Sequence, residues 1–309
     1  LSNGSAPRIV FVSLARSAAG VAHLQLLLKS IRSFGGHLAR SPVLLFEVEA
    51  GAADAWKSGA EGVHVLPLIV PEHLEHYPLA AKVYACVRGE TLAREQNVQS
   101  LVWIDPACLV VNPPLLFHLG LGFDAAVRPV HIKNIGLGAT ESIDAYWQKV
   151  YEAVGVHDLS ATVESFVDAE RLRAYFNTHA FAVNPGKGLL REWYECFASL
   201  VSDEGFQVGA CSDERHRVFL HQAVLSALLA SALDSERVRM LPVEYNYPYN
   251  LHQSVPDGRR ARALNDLITV AYEDRPLDPS VVNDIEIREP LRAWLAERAG
   301  GADGGQDAS

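Results

Sequence analysis

Short apolar runs alternate with helical stretches through the first third of the chain, and that alternation constrains the fold more than any other feature. Arg8-Ile-Val-Phe-Val-Ser-Leu14 is a β-branched run of the kind buried on both faces of a sheet. From Val21 to Phe34 the apolar Leu24, Leu27, Leu28 and Ile31 recur at helical spacing, and Gly35-Gly36 ends the stretch. A second strand is predicted over Pro42–Val48, a short helix near Ala53–Lys57 and a third strand over Val63–Leu68. A longer helix follows over Leu79–Arg94, then a fourth strand over Leu101–Ile104. A chain that keeps returning from helix to strand builds an α/β fold, here a mostly parallel, Rossmann-like central sheet flanked by helices.

Beyond Pro113-Pro114 the rhythm loosens, and the C-terminal part is expected to be mixed. Phe123–Pro129 and Phe176–Val183 read as strands, and Ser142–Val154 as a helix. The turn Asn184-Pro185-Gly186 opens another helix over Leu189–Val201. Arg217–Ala232 is a further helix and Val238–Leu241 a short strand. Pro242–Pro256, rich in proline, tyrosine and asparagine, reads as a long loop, functional or disordered. Leu267–Tyr272 reads as a strand returning to the sheet. With no internal repeat and no linker, residues 1–299 are expected to form a single domain, followed by a disordered Gly/Asp/Ala-rich tail over 300–309.

The 309 residues carry 27 Lys and Arg against 37 Asp and Glu, a formal charge of −10 that argues against a nucleic-acid partner, which selects a basic face. At 49% apolar and 21% charged, the chain is too hydrophobic for a disordered protein and too poor in charge for a coiled coil. No apolar run reaches the roughly 20 residues of a membrane span. Cys86, Cys108, Cys196 and Cys211 are widely spaced with no CxxC pair, so reduced, mostly buried thiols are expected rather than zinc ligands or disulfides. The lone methionine is Met240, so the sequence does not start at an initiator, as in a chain trimmed of a leader. Leu1–Pro7 holds no apolar leader, and the cytoplasm is the expected compartment.

The signatures GxxxxGK[ST], HExxH and GxSxG are absent. Asn184-Pro-Gly-Lys-Gly188 suits a phosphate at a helix start, or a plain turn into a helix. His216 and His221 face different sides of one helix, and His73 and His76 lack a third ligand, so neither pair reads as a metal site. The informative segment is Ser100-Leu-Val-Trp-Ile-Asp105-Pro-Ala-Cys-Leu-Val-Val111, where an apolar strand ends abruptly in a carboxylate. Ligands bind at such strand ends in open α/β sheets. A buried unpaired charge is expensive, so Asp105 is either a site residue or a cap of the turn at Pro106.

At this segment the sequence resembles the GT-A nucleotide-sugar glycosyltransferases, particularly the glycogenin-like and related bacterial branches. In that family an apolar strand ends in a DxD motif that holds a divalent metal against the sugar-nucleotide diphosphate. Ile9–Leu14, with the helix running to Gly36, looks like the family's opening nucleotide-binding strand and helix. Tyr175-Phe-Asn-Thr-His-Ala-Phe-Ala-Val-Asn-Pro185 looks like its post-DxD strand, and His221-Gln-Ala-Val-Leu225 like its acceptor-side helix. Leu241-Pro-Val-Glu-Tyr-Asn246 looks like its late LP-x-x-Y-N segment. The resemblance covers most of the chain. It implies a GT-A-like domain with a nucleotide-binding half at about 8–112, an acceptor half at 113–299, a nucleotide-sugar donor and an unidentified acceptor.

Three departures shape what this implies. Asp105-Pro-Ala107 lacks the second carboxylate, the late HxxGxxKPW pattern is missing, and His179 stands where the family has glycine. Either a transferase works without metal, or a degenerate domain binds a sugar nucleotide or partner without turnover. A nucleotidyltransferase is disfavoured, because Ser13–Gly20 lacks a GTRxxP-like loop. If Mn²⁺ or Mg²⁺ is bound, Asp105 and the late-loop His252 are its candidate ligands. Without it, cations must neutralise the leaving diphosphate, and by position these are Arg16, Lys82 and Lys133. Ser13, Leu14 and Asp105 complete the donor side. Asp213, Glu214 or His179 could serve as the base of an inverting transfer, with Asp105 the other catalytic candidate. His131, Asn177, Gln222, Tyr245 and Asn246 are the acceptor-side candidates, although the tyrosine-rich loop serves equally as a segment pinned by its prolines.

Overall fold

A computed structural model describes residues 8–58 and 62–299; the tail predicted over 300–309 lies outside the described residues. The first third contains β1 (Ile9–Ala15), α1 (Val21–Phe34), β2 (Val43–Glu47), β3 (Val63–Pro67), α2 (Ala80–Glu95) and β4 (Ser100–Ile104). Next come β5 (Cys108–Val110), β6 (Ala125–Val127), α3 (Ala145–Ala153), β7 (Thr162–Glu164), β8 (Arg171–Arg173) and β9 (Ala180–Val183). The remainder holds α4 (Leu189–Ser202), α5 (Glu204–Val208), α6 (Glu214–Ala232), β10 (Val238–Met240), β11 (Tyr247–Pro248), β12 (Thr269–Ala271) and α7 (Leu291–Ala299).

The main sheet runs in the order β10-β6-β9-β4-β1-β2-β3 and is parallel except at β9, which is antiparallel to both β4 and β6. Alternate side chains of the central strands feed opposite cores. Val10, Val12, Leu44, Phe46, Leu101 and Trp103 enter one. Ile9, Phe11, Val43, Leu45, Val102 and Ile104 enter the other. That two-sided burial is why these strands read as unbroken apolar runs. Helix α1 buries Leu24, Leu27, Leu28 and Ile31, the residues its spacing predicts. It ends where Gly36 takes a φ of +58°, and a Cβ there would lie 2.8 Å from the Pro113 ring.

Two readings change. The Pro242–Pro256 segment is not an irregular loop: it contains β11 and a 3₁₀ turn over Tyr249–Ser254, with Tyr245, Tyr247 and Tyr249 buried. Buried Arg128 fixes it from a distance, donating to the carbonyls of Val243 (2.6 Å) and Tyr245. Leu267–Tyr272 does not rejoin the main sheet. Its core, β12, pairs with β11 and antiparallel with β5, making a small three-stranded sheet over a third core. The hairpin of β7 and β8, and helices α5 and α7, were not foreseen from the sequence.

The Asn184–Gly188 segment is a turn rather than a phosphate cradle. Asn184 Oδ1 accepts from Gly186 N–H at 3.0 Å, and the N-terminus of α4 already holds a carboxylate. Glu90 of α2 accepts from Leu190 N–H (3.0 Å) and Arg191 N–H (2.9 Å), placing an anion where the helix dipole favours one. All four cysteines are free, and Cys86, Cys108 and Cys211 are buried.

Candidate functional site

The antiparallel insertion of β9 creates the site. Register pairs Ile104 with Ala180, so residues 177–179, which precede β9, arrive beside the carboxyl end of β4. Asp105 N–H donates to the His179 carbonyl at 2.7 Å, and Ser13 Oγ on β1 donates to the Ile104 carbonyl at 2.8 Å. Asp105 is thereby clamped at the carboxyl end of the parallel strands, the usual ligand edge of such a sheet.

Both oxygens of Asp105 are occupied. Lys82 Nζ, on the first turn of α2, donates to Oδ2 at 2.9 Å, and Trp103 Nε1 donates to Oδ1 at 3.0 Å. The lysine side chain is only 5% exposed, against 20% for Asp105, so the ammonium lies beneath the carboxylate. It also donates to the Thr178 carbonyl at 2.7 Å and sits 5.3 Å from the Trp103 ring centroid. The N-cap of α2, Leu79, has a φ of 59°, a conformation that side chains rarely adopt, and this aims the first turns of the helix at the site.

A hydrogen-bonded chain continues from Thr178. Its hydroxyl lies 3.0 Å from His221 Nε2 and 3.4 Å from Gln222 Oε1. His221 Nδ1 lies 2.9 Å from the Val218 carbonyl, so Nδ1 carries the hydrogen and Nε2 accepts from Thr178. Burial, with Lys82 nearby, holds the His221 pKa well below the usual imidazole value, and the ring is neutral. On the other side, Asn177 Oδ1 accepts from His179 N–H at 2.8 Å and lies 3.1 Å from His179 Nδ1. His131 Nε2 donates to the Asn246 carbonyl at 2.7 Å, and the His131 and His179 rings stack 5.8 Å apart. Burial and the neighbouring His179 push the His131 pKa down. His179 Nε2 meets Glu273 Oε1 at 3.2 Å, and that bond holds the Glu273 carboxyl below its ordinary pKa. A groove of about 630 Å³ between α1, α7 and the segment after β12 is lined in part by His23, Tyr272 and Asp274, the neighbours of Glu273 included.

The structure therefore brings together Ser13, Lys82, Asp105, His131, Asn177, His179, Gln222 and Asn246. Leu14 is partly buried beside them, and Arg16, just beyond β1, is exposed with no side-chain partner among the described residues. Four candidates are engaged elsewhere. Lys133 Nζ pairs with Glu141 (2.6 Å) and Glu170 (3.7 Å). Asp213 caps α6, accepting from His216 N–H at 3.0 Å and pairing with its Nδ1 at 2.5 Å; these bonds lower its pKa. Tyr245 is a core residue whose hydroxyl accepts from Leu116 N–H at 2.9 Å. His252 is buried, its Nδ1 2.8 Å from the Tyr247 hydroxyl in the small-sheet core. Four residues of the network were missed: Trp103, Thr178, His221 and Glu273. Glu273 carried a usable signal, because it directly follows a predicted strand, as Asp105 does.

The donor set does not suit a divalent cation. Hard cations want several uncommitted oxygens, whereas each Asp105 oxygen already accepts a hydrogen bond, from Lys82 or from Trp103. Position 107 is alanine, and Tyr272 N–H bonds the Ala107 carbonyl at 3.1 Å, so the strand alongside contributes Ala271. Among the described residues no three His, Cys, Asp or Glu side chains group to hold a metal.

Solved structures share this architecture. The chain aligns over 95% of its length with the apo structure of the bifunctional glycosyltransferase WbbM, at a TM-score of 0.53 and 15% identity, and spans 52% of that chain. It aligns over 94% with the galactosyltransferase LgtC, solved with donor and acceptor sugar analogs, at a TM-score of 0.54 and 13% identity, spanning 95% of it. For the glycosyltransferase GlyE of Streptococcus pneumoniae TIGR4 the TM-score is 0.50 at 12% identity, with 95% of this chain and 60% of that one covered. At these identities the likeness establishes the GT-A-type α/β fold. No family model and no curated protein matches the sequence. No described helix is long and apolar enough to cross a membrane.

Proposed function

We propose that this protein transfers a sugar from a nucleotide-sugar donor to an acceptor hydroxyl, and does so without a divalent cation. The observation that carries the reading is the Lys82–Asp105 pair at the carboxyl end of β4. In a DxD site, a metal cancels the carboxylate charge that would otherwise repel the diphosphate. Here the ammonium cancels it from within, since the pair is neutral as a unit and sealed from beneath. Two like charges about 6 Å apart at an effective dielectric of about 20 repel by roughly 3 kcal/mol, so cancelling Asp105 is worth about a hundredfold in donor affinity. Exposed Arg16 then supplies an uncommitted positive charge for the phosphates, while Asn177 and Gln222 offer amides to sugar hydroxyls. Transfer follows from holding the anomeric carbon and the acceptor oxygen in line while the leaving phosphate is stabilised.

A second reading has its own support: with both oxygens of Asp105 committed, the domain binds a sugar nucleotide without turning it over. Thermal-shift titration with UDP-, GDP- and dTDP-sugars, with EDTA or Mn²⁺, tests both. Stabilisation in EDTA, with release of the nucleoside diphosphate that is lost in Asp105→Asn, supports transfer. Binding with no turnover under any metal condition sinks transfer and leaves the second reading. No stabilisation by any nucleotide sinks both.

A further inference from the structure

We infer that the groove between α1, α7 and the segment after β12 seats an uncharged apolar aglycone of the acceptor, so that the acceptor is an amphiphilic glycoside; the inference rests on the transferase reading above. The groove is the open end of the third core. Tyr272, Leu277 and Leu295 belong to that core and are buried, yet all three line the groove. Half-buried Leu26 of α1 packs against the same core, and Ala22 and Pro276 complete the apolar wall. His23 props the Tyr272 side: the two rings stack 5.4 Å apart, and His23 Nδ1 lies 3.0 Å from the Tyr272 hydroxyl. The volume of about 630 Å³ falls within the roughly 300–1,000 Å³ of small-molecule sites, which are mostly apolar inside with a few polar groups at the edge.

Charge and position select the occupant. The groove is edged by Asp274, Asp278 and Glu297 together with Lys29, Arg275 and Arg298. Arg275 is already paired with Asp284 at 2.7 Å, and Arg298 pairs with Glu297 at 3.4 Å and lies over the Trp294 ring. Asp274 and Asp278 then stand against Lys29, a balance that offers a diphosphate no net attraction, so the charged part of the donor belongs at the strand ends near Arg16. The groove adjoins that site through one short segment. Tyr272 N–H bonds the Ala107 carbonyl at 3.1 Å, two residues past Asp105. Glu273 is held by His179 Nε2 at 3.2 Å and by the Asn250 side chain, while its neighbours Tyr272 and Asp274 both line the groove. A glycoside joins its sugar to its aglycone by a single bond. With the aglycone against Leu26, Leu277 and Leu295, the sugar hydroxyls lie toward the Asp105 cleft.

Calorimetric titration with methyl, butyl, hexyl and octyl β-D-glucosides and β-D-galactosides, each below its micelle concentration, tests the groove without any donor. Affinity should rise about two- to fourfold per added methylene, the upper figure being about 0.8 kcal/mol for a fully buried CH₂. Ala22→Trp, at an exposed helix position in the groove wall, should abolish that rise while Tm and stabilisation by sugar nucleotides stay as in the wild type. Leu26→Gln, which makes the wall polar, should lower octyl glycoside affinity about tenfold and serves if the tryptophan variant fails to fold. With the sugar nucleotide that stabilises the wild type most, nucleoside diphosphate should be released faster with the octyl than with the methyl glycoside, and this difference should vanish in Ala22→Trp. Affinity that is flat in chain length, or a rise that survives both variants, overturns the groove as the aglycone site and leaves the transferase reading standing. Equal release with both glycosides overturns the acceptor role alone. No release from any sugar nucleotide overturns the transferase reading and the inference with it.

Discussion

Lys82→Met removes the buried ammonium while keeping most of its apolar stem, and so isolates the charge on which the site is built. The ammonium donates to Asp105 Oδ2 at 2.9 Å and to the Thr178 carbonyl at 2.7 Å. Without it the carbonyl is stranded, and the Asp105 charge keeps only the Trp103 N–H. Breaking one side of a buried pair costs about 3–5 kcal/mol. Asp105 is 20% exposed, so water recovers part of its solvation and the cost falls at the lower end, about 3 kcal/mol. At about 2.1 cal/mol/K of unfolding entropy per residue, a chain of 309 residues loses roughly 5 °C of Tm. In Lys82→Met/Asp105→Asn no charge is stranded, and most of that loss should return. The functional signature is separate: in EDTA the single variant should bind donor about a hundredfold more weakly, from the roughly 3 kcal/mol repulsion of the exposed carboxylate. Mn²⁺ should recover part of it, because Oδ2 is now open to a cation. Differential scanning fluorimetry and calorimetric titration with and without EDTA read both effects. A Tm change below about 1 °C, or wild-type donor binding abolished by EDTA, would refute the reasoning.

Arg16→Ala should weaken donor binding about tenfold with little change in Tm, since the guanidinium is exposed and without a side-chain partner among the described residues. Ala107→Asp adds a carboxylate with no cation of its own; donor affinity in EDTA should fall, and titration with Mn²⁺ should raise it again. Acid stability should decline in two stages, read as urea midpoints across pH. Burial drives the His131 and His221 pKa values well below 6.5, so the unfolded chain binds their protons first and stability falls as pH drops below about 6.5. Burial alone would raise the Asp124 pKa, but Arg237, Asn184 and Lys187 outweigh it and the net shift is downward. Its contribution is present above about pH 4 and lost as pH falls through the lower native value, a limb that Asp124→Asn should flatten.

What the sequence reveals depends on whether the cause is local. The elements of the first third lie within a residue or two of their predicted bounds, because two-sided burial writes unbroken apolar runs and α1 writes its spacing directly. Asp105 was legible for the same reason, as a charge at the end of such a run. Strand direction is not written locally, so nothing in Phe176–Val183 shows that β9 enters antiparallel and delivers Asn177, Thr178 and His179 to Asp105. Contacts across long separations were equally hidden. Tyr245 looks like a sugar-binding residue until Arg128, 117 positions away, is seen gripping its carbonyl. Lys133 looks like a phosphate cation until Glu141 and Glu170 close on it. Glu273 was overlooked because its partner is His179, in the main sheet, while Glu273 follows the small one.

An excess of ten negative charges looks unsuited to a diphosphate, yet charge at a site is decided within a few ångström, and beyond about 8–10 Å salt screens exposed charges. Within that radius the carboxylates of the site are each held by a side chain from another element. Asp105 has Lys82 beneath it, and Glu273 Oε1 lies 3.2 Å from His179 Nε2. Both contacts join elements of different origin, a helix with a strand end and one sheet with another, so the fold itself must be formed before Lys82 cancels the Asp105 charge. That coupling separates Lys82 from Arg16. Losing Lys82 should disturb folding and donor binding together, whereas losing the unpartnered Arg16 should disturb binding alone.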